Sequence, residues 1–197
     1  EVRLDPAART ITVVDTISLD ERVPAGEDGA FRFVLHAGLE PRVTTPGWSL
    51  EPDTGAVAGE FLGINATTGT GADQVPLERF RLIPEDGSGD TVTLAYGGEI
   101  HHALKTAGEE YQRSFSETPG LIDERGVFLA GASFWVADFG DELVSFELEV
   151  RGLMPPWDVV SQGRRTLHLT DEDGRRNVAW SLEHPTEEIY LIAGPWH

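Results

Sequence analysis

One zinc signature for hydrolysis is His-Glu-x-x-His on a helix, which places two imidazoles on one helical face with the Glu as general base. This chain of 197 residues contains six histidines but not that spacing. His184 is followed by Pro185, and His101 and His102 are adjacent. If they lie on a strand, His101 and His102 point to opposite faces and cannot chelate one ion together. They read as turn histidines, and no metal ligand is assigned. Asp171-Glu172-Asp173-Gly174 resembles part of a calcium loop, but an EF-hand needs flanking helices and a terminal Glu. Asp and Gly are also what a tight hairpin turn requires, and that is the reading taken. Asp138-Phe139-Gly140 spells the kinase magnesium tripeptide with nothing else of a kinase around it. Ser161 precedes Gln162-Gly163 with no base marked beside it, and no Gly-x-Ser-x-Gly elbow exists. Gly69-Thr70-Gly71 leads into no Gly-Lys-Ser/Thr and no helix, so it is no phosphate cradle. An acid pair for glycoside hydrolysis is not separable from so many carboxylates. Glu147 and Glu149 read as the wet side of a strand. No catalytic residue is assigned.

The balance of 34 acidic to 15 basic side chains gives a net charge of −19, and Lys105 is the only lysine. That argues against nucleic acid, whose phosphates need Lys and Arg, and against anionic membrane surfaces. It reads as a solubilising surface. There is no cysteine, hence no disulfide and no thiolate chemistry. No apolar run reaches the ~18 residues of a spanning helix, so no membrane insertion by this segment is expected. The length fits one domain, 1–197. The chain opens on Glu1 rather than Met, and its last strand runs nearly to His197, which predicts a piece of a longer polypeptide.

The elements expected to carry these residues are strands. Val2 and Leu4, then Ile11, Val13, Ile17 and Leu19, alternate across an Asp5–Arg9 turn as an opening hairpin. Phe31, Phe33 and Leu35 mark the next strand, and Pro41 and Pro46 place Val43–Leu50 at an edge. Gly55–Gln74, rich in Gly and Thr, reads as a long loop or inserted ribbon. Pro76–Pro84 and Thr91–Ile100 are predicted to pair with each other. A helical turn is expected around Lys105–Gln112. Leu143–Ala193 reads as a β-meander with Phe146, Leu148 and Val150, Leu167 and Leu169, and Val178, Trp180 and Leu182 in alternation. The fold class expected is all-β: a twisted sandwich or open barrel of mostly antiparallel strands with little helix.

The same segment carries a resemblance. Its amphipathic strand, Pro155-Pro156-Trp157-Asp158-Val159-Val160-Ser161-Gln162-Gly163, the Trp180 strand and the closing Ile189-Tyr190-Leu191-Ile192-Ala193-Gly194 resemble the N-terminal β-domain of the aminopeptidase N family of zinc metallopeptidases. Leu4-Asp5-Pro6 with Ile11–Leu19, Val92–Ile100 and Gly120-Leu121-Ile122 agree in order. The resemblance implies a saddle-shaped domain without zinc of its own. The zinc would lie in a downstream catalytic domain, which this domain docks onto while walling the cleft that takes a peptide substrate. It is compatible with a periplasmic or membrane-associated parent; the chain itself fixes no compartment. In that family one acidic or amide side chain of the domain grips the substrate's free amino group, and Glu124 is the nearest candidate by position. The family's Phe-Pro-Cys and Asp-Glu-Pro pieces are absent, with Asp141-Glu142-Leu143 a partial echo. The apolar stretch Gly120–Asp138 is the candidate docking surface, through Phe128, Phe134 and Trp135. The alternative function is a free-standing carbohydrate- or protein-binding β-sandwich.

Overall fold

The computed structural model describes residues 1–20, 23–54, 75–107, 115–140 and 143–196; the expected Gly55–Gln74 ribbon lies outside them. Alternation decides the large sheet. In β2 (Thr10–Ser18), Ile11 and Val13 are buried while Thr12 and Val14 face water. β2 pairs in antiparallel register with β1 (Val2–Asp5) and β7 (Thr91–Glu99), so Val2, Val13 and Tyr96 line up on one face. Two further strands extend the sheet past β1: β12 (Val144–Leu153), parallel to β1, and β15 (Arg176–Thr186). The edges are β4 (Arg42–Val43) beside β7 and β14 (Arg164–Thr170) beside β15, giving seven strands. The short β4 after Pro41 is the edge that proline implied.

Two smaller antiparallel sheets complete the sandwich. The three-stranded one orders β3 (Phe31–His36), β6 (Leu77–Pro84) and β5 (Trp48–Pro52). The four-stranded one orders β10 (Gly120–Asp123), β11 (Gly126–Leu129), β16 (Leu191–Pro195) and β13 (Trp157–Val160). A separate pair joins β8 (Lys105–Ala107) to β9 (Phe115–Glu117). Ile11, Leu94 and Val150 of the large sheet, Phe33 and Leu82 of the three-stranded sheet, and Ile122, Val127 and Leu191 of the four-stranded sheet share one buried core. Among the described residues no sheet closes on itself, and the fold is an all-β sandwich.

Three local expectations are corrected. β6 pairs with β3 and β5, not with β7, so Pro76–Pro84 and Thr91–Ile100 are not a hairpin. Leu143–Ala193 is not one meander, because β13 and β16 leave it to pair in the four-stranded sheet. Lys105–Ala107 is a strand where a helical turn was expected. A register shift between Arg165 and Leu167 also decides β14. It puts Arg165 and His168 opposite Trp180 and Val178, and turns Leu167 and Leu169 to the other face, where Leu169 is exposed. Trp180 packs half-buried against the core.

Candidate functional site

The hairpin β10–β11 carries Glu124. Its two-residue tip is set by Asp123, whose Oδ1 accepts from the backbone N–H of Arg125 at 2.9 Å and Gly126 at 3.2 Å. Such a side-chain turn is what Asp supplies locally. The Arg125 guanidinium, 2.6 Å from Asp123 Oδ2, holds that carboxyl below its usual range. Glu124 stands exposed at the tip.

Below the tip, register across the sheet aligns Leu121, Phe128, Ile192 and Val160 in one row, in which Leu121 is buried, Phe128 and Ile192 are half-buried and Val160 is exposed. Gly126 and Gly194 lie on the same face, and so does the exposed Trp196 against Gly194. Phe128 is half-buried, its ring 6.5 Å from that of Tyr190. This face carries aromatic and aliphatic side chains, and the Trp196 ring lies over Gly194.

Phe134 and Trp135 are placed otherwise. They follow a single 3-10 turn, Gly131–Ser133, and Phe134 takes a left-handed backbone with φ 49°. That conformation is uncommon for a bulky residue. Neighbouring hydrogen bonds hold it: the His36 N–H donates to the Phe134 carbonyl at 2.8 Å, and Val34 exchanges backbone bonds with Asp138 at 2.8 and 3.0 Å. The segment thereby covers the free edge of β3. Glu188 accepts from the Gly131 N–H at 2.8 Å, and Trp135 donates its indole N–H to the Ile189 carbonyl at 2.9 Å. Both Phe134 and Trp135 are buried within this chain. Of the three residues expected at a docking surface, Phe128 alone offers appreciable area.

A cleft of about 610 Å³ opens between β2 and β12 on one side and Phe134–Gly140 with Glu187–Ile189 on the other. Ile17, Phe139 and Phe146 give it apolar walls, and Asp15 lies on its β2 wall. Burial pushes the Asp15 carboxyl up, against the pull of the Tyr96 hydroxyl donating to it at 3.2 Å. Tyr96 is itself raised well above the ordinary phenol, by burial and by Asp15. Sequence reasoning missed this pair; the only signal was one Asp interrupting the apolar side of β2. Among the described residues no three His, Asp or Glu side chains converge as ligands to a metal.

No protein-family model and no curated protein matches this sequence. Solved structures do match the fold. An M1 zinc metallopeptidase from Deinococcus radiodurans, in a mutant bound to a Tyr-Ser-Ala substrate, superposes on 98% of this chain with a TM-score of 0.56 at 13% identity. A second structure of an M1 zinc metallopeptidase from that organism gives 0.52 over the same share at 14% identity. This fold is shared with M1 zinc metallopeptidases. The chain spans 40% of the length of either metallopeptidase chain. The likeness is therefore to a part of the metallopeptidase, and at this identity it carries the sheet architecture and not the roles of individual side chains.

Proposed function

We propose that this chain is the N-terminal β-domain of a zinc metallopeptidase of the aminopeptidase N type, docking onto a catalytic domain and walling its substrate cleft. The observation that carries the reading is the superposition of nearly the whole chain on only 40% of a metallopeptidase chain. The remaining three fifths is the place for a zinc site. Zinc bound there would activate a water for peptide hydrolysis. The partly exposed Phe128 and Ile192 beside the exposed Val160 support the docking role, since adjoining apolar side chains mark an interaction surface more than scattered ones do. Phe128 is the aromatic anchor on that face, the residue type that dominates interfaces. Glu124, at the tip of the same hairpin, is the carboxylate offered to the free amino group of a peptide.

The full-length gene product tests the reading. It is expected to carry one zinc per chain and to release amino acids from aminoacyl-p-nitroanilides. Glu124→Gln is expected to raise KM for such substrates with the zinc content unchanged. A gene with no His-Glu-x-x-His helix within about a hundred residues downstream would sink the proposal, because the zinc chemistry depends on that helix.

A further inference from the structure

Two histidines 66 residues apart meet beside the end of β3. His36 closes that strand opposite Leu77, and its side chain is buried. Its Nδ1 lies 2.7 Å from the Ala37 carbonyl oxygen. A carbonyl only accepts, so Nδ1 carries the proton and Nε2 presents a lone pair. That lone pair meets His102 Nε2 at 2.9 Å. The rings stand edge to face, 5.2 Å between centroids and 64° between planes. Backbone contacts hold His102 in turn. Its N–H donates to the Gly120 carbonyl at 2.9 Å, and its own carbonyl accepts from the Thr118 hydroxyl at 2.8 Å. On the other side, Gly98 lets the Gly38–Leu39 backbone close in, since a Cβ there would fall 2.2 Å from the Gly38 oxygen.

We propose that His36 and His102 form a two-imidazole seat for a divalent transition-metal ion that favours tetragonal geometry, copper(II) first and nickel(II) second. Three features point there. A ligating imidazole characteristically donates its second N–H to a carbonyl, which fixes the ring and raises its basicity; His36 already does so. The two Nε2 atoms already sit 2.9 Å apart in a hydrogen bond, so an ion with two bonds of ~2.0–2.1 Å at right angles, which sets its nitrogens about 2.9 Å apart, replaces the shared proton without spreading them, whereas a tetrahedral zinc needs about 3.3 Å. Binding also needs little rearrangement. The half-buried His102 turns its ring and moves its proton from Nε2 to Nδ1, so both ligands are neutral and no proton leaves. Burial holds both imidazoles below their ordinary pKa, with the neighbouring Ala37 carbonyl opposing it at His36 and His101 adding to it at His102. Among the described residues no third His, Asp or Glu completes the set, so water fills the other positions. The ion would tie β3 to the segment after β7, and by mass action it would stabilise the fold.

The test titrates the whole chain with copper(II), nickel(II) and zinc(II) chlorides by calorimetry, with paramagnetic resonance on the copper sample. Expected are one copper per chain, affinity in the order copper, nickel, zinc, two-nitrogen splitting in the spectrum, and a rise in Tm with copper. His102→Gln is expected to lose the splitting, the Tm rise and at least tenfold in affinity. His184→Gln, on the exposed part of β15, is expected to keep all three. Stoichiometric copper retained with unchanged affinity in His102→Gln would overturn the assignment and leave adventitious binding elsewhere. Absence of any copper-dependent Tm rise in the unaltered chain would overturn it as well.

Discussion

The two small sheets cover the same core, yet their outward rows differ in kind. On the three-stranded sheet the row is ionic. Arg32 and Arg81 are cross-strand partners, and Asp28 bridges them at 2.7 and 3.1 Å. Asp53 bridges Arg32 and Arg79 at 3.3 and 3.1 Å, and Glu51 adds a contact to Arg81 at 3.6 Å. On the four-stranded sheet the corresponding row is Leu121, Phe128, Ile192 and Val160. Three of the few cations in a strongly acidic protein are thus spent on one face, and none stands in the apolar row. A network of this sort pairs its charges within the face. An apolar row gains only when something else removes it from water. The difference teaches that the two sheets are equivalent as core-makers and inequivalent as surfaces.

The largest expected effect separates core from surface within the stretch that sequence reading treated as one patch. Trp135→Ala removes a fully buried indole and should cost about 3–5 kcal/mol. Phe128→Ala should cost the isolated chain about 1 kcal/mol, seen as a much smaller shift in urea midpoint. Equal losses would erase the distinction. Next comes association: when the two halves of the full-length protein are co-expressed, Phe128→Asp should weaken their complex at least tenfold. The ionic face supplies the matched control, since Glu51→Ala should leave that complex intact. Asp53→Ala takes the shared partner from Arg32 and Arg79, whose side chains are 28% and 15% exposed. A loss on the order of 2 kcal/mol is expected, the scale of hydrogen bonds to charged groups.

The ionic face should also be the acid-sensitive one. The hydrogen bond from Arg32, with help from the Ala30 N–H and Arg81, holds the Asp28 carboxyl at about 2, against 3.8 for the free side chain. A carboxyl depressed in the folded state stabilises above its unfolded pKa, and that contribution is lost as pH falls through the folded value. Stability should therefore drop between about pH 4 and pH 2, and Asp28→Asn should flatten the curve in that window. An unchanged slope would show that other carboxyls govern acid unfolding. The smallest effect concerns the molecule's overall charge. Salt screens repulsion beyond roughly 10 Å at 0.1 M, so Tm should rise modestly with sodium chloride. A falling trend would mean that the ion pairs outweigh the net charge of −19.

Alternation made the strands legible, because burial on one face imposes a period of two whatever the partner is. Ile11 to Ile17 and Phe146 to Val150 could be read correctly for that reason. Pairing was not legible. β6 and β7 adjoin in sequence across a polar turn, yet β6 finds β3, whose Phe33 stacks on Phe80 at 5.4 Å. Nothing local distinguishes a hairpin from two strands that part company. Phe134 and Trp135 advertise apolarity but not its destination, which Ile189 and β3 decide from far along the chain. The two imidazoles were invisible for the same reason: His102 was weighed against its neighbour His101, while its partner His36 lies at the end of another strand. Glu124 was chosen by its position in the resemblance and Phe128 by the apolar character of its stretch; Asp15 with Tyr96 could be reached by neither route.

The parallel pairing of β1 with β12 sets the order in which the protein can assemble. Val2 lies opposite Val150, and β1 sits between β2 and β12 in the middle of the large sheet. As a ribosome delivers the chain, β1 and β2 can form their hairpin early, but one side of β1 has no partner until β12 emerges. The nascent molecule must carry that open strand edge until residues 144–153 have emerged, and an unpaired edge invites pairing with other chains. Contacts between segments so distant in sequence also slow the final step, because the intervening loop must close before they reward it. Refolding of the finished chain is therefore expected on the milliseconds-to-seconds scale of non-local β proteins, with its yield falling as protein concentration rises.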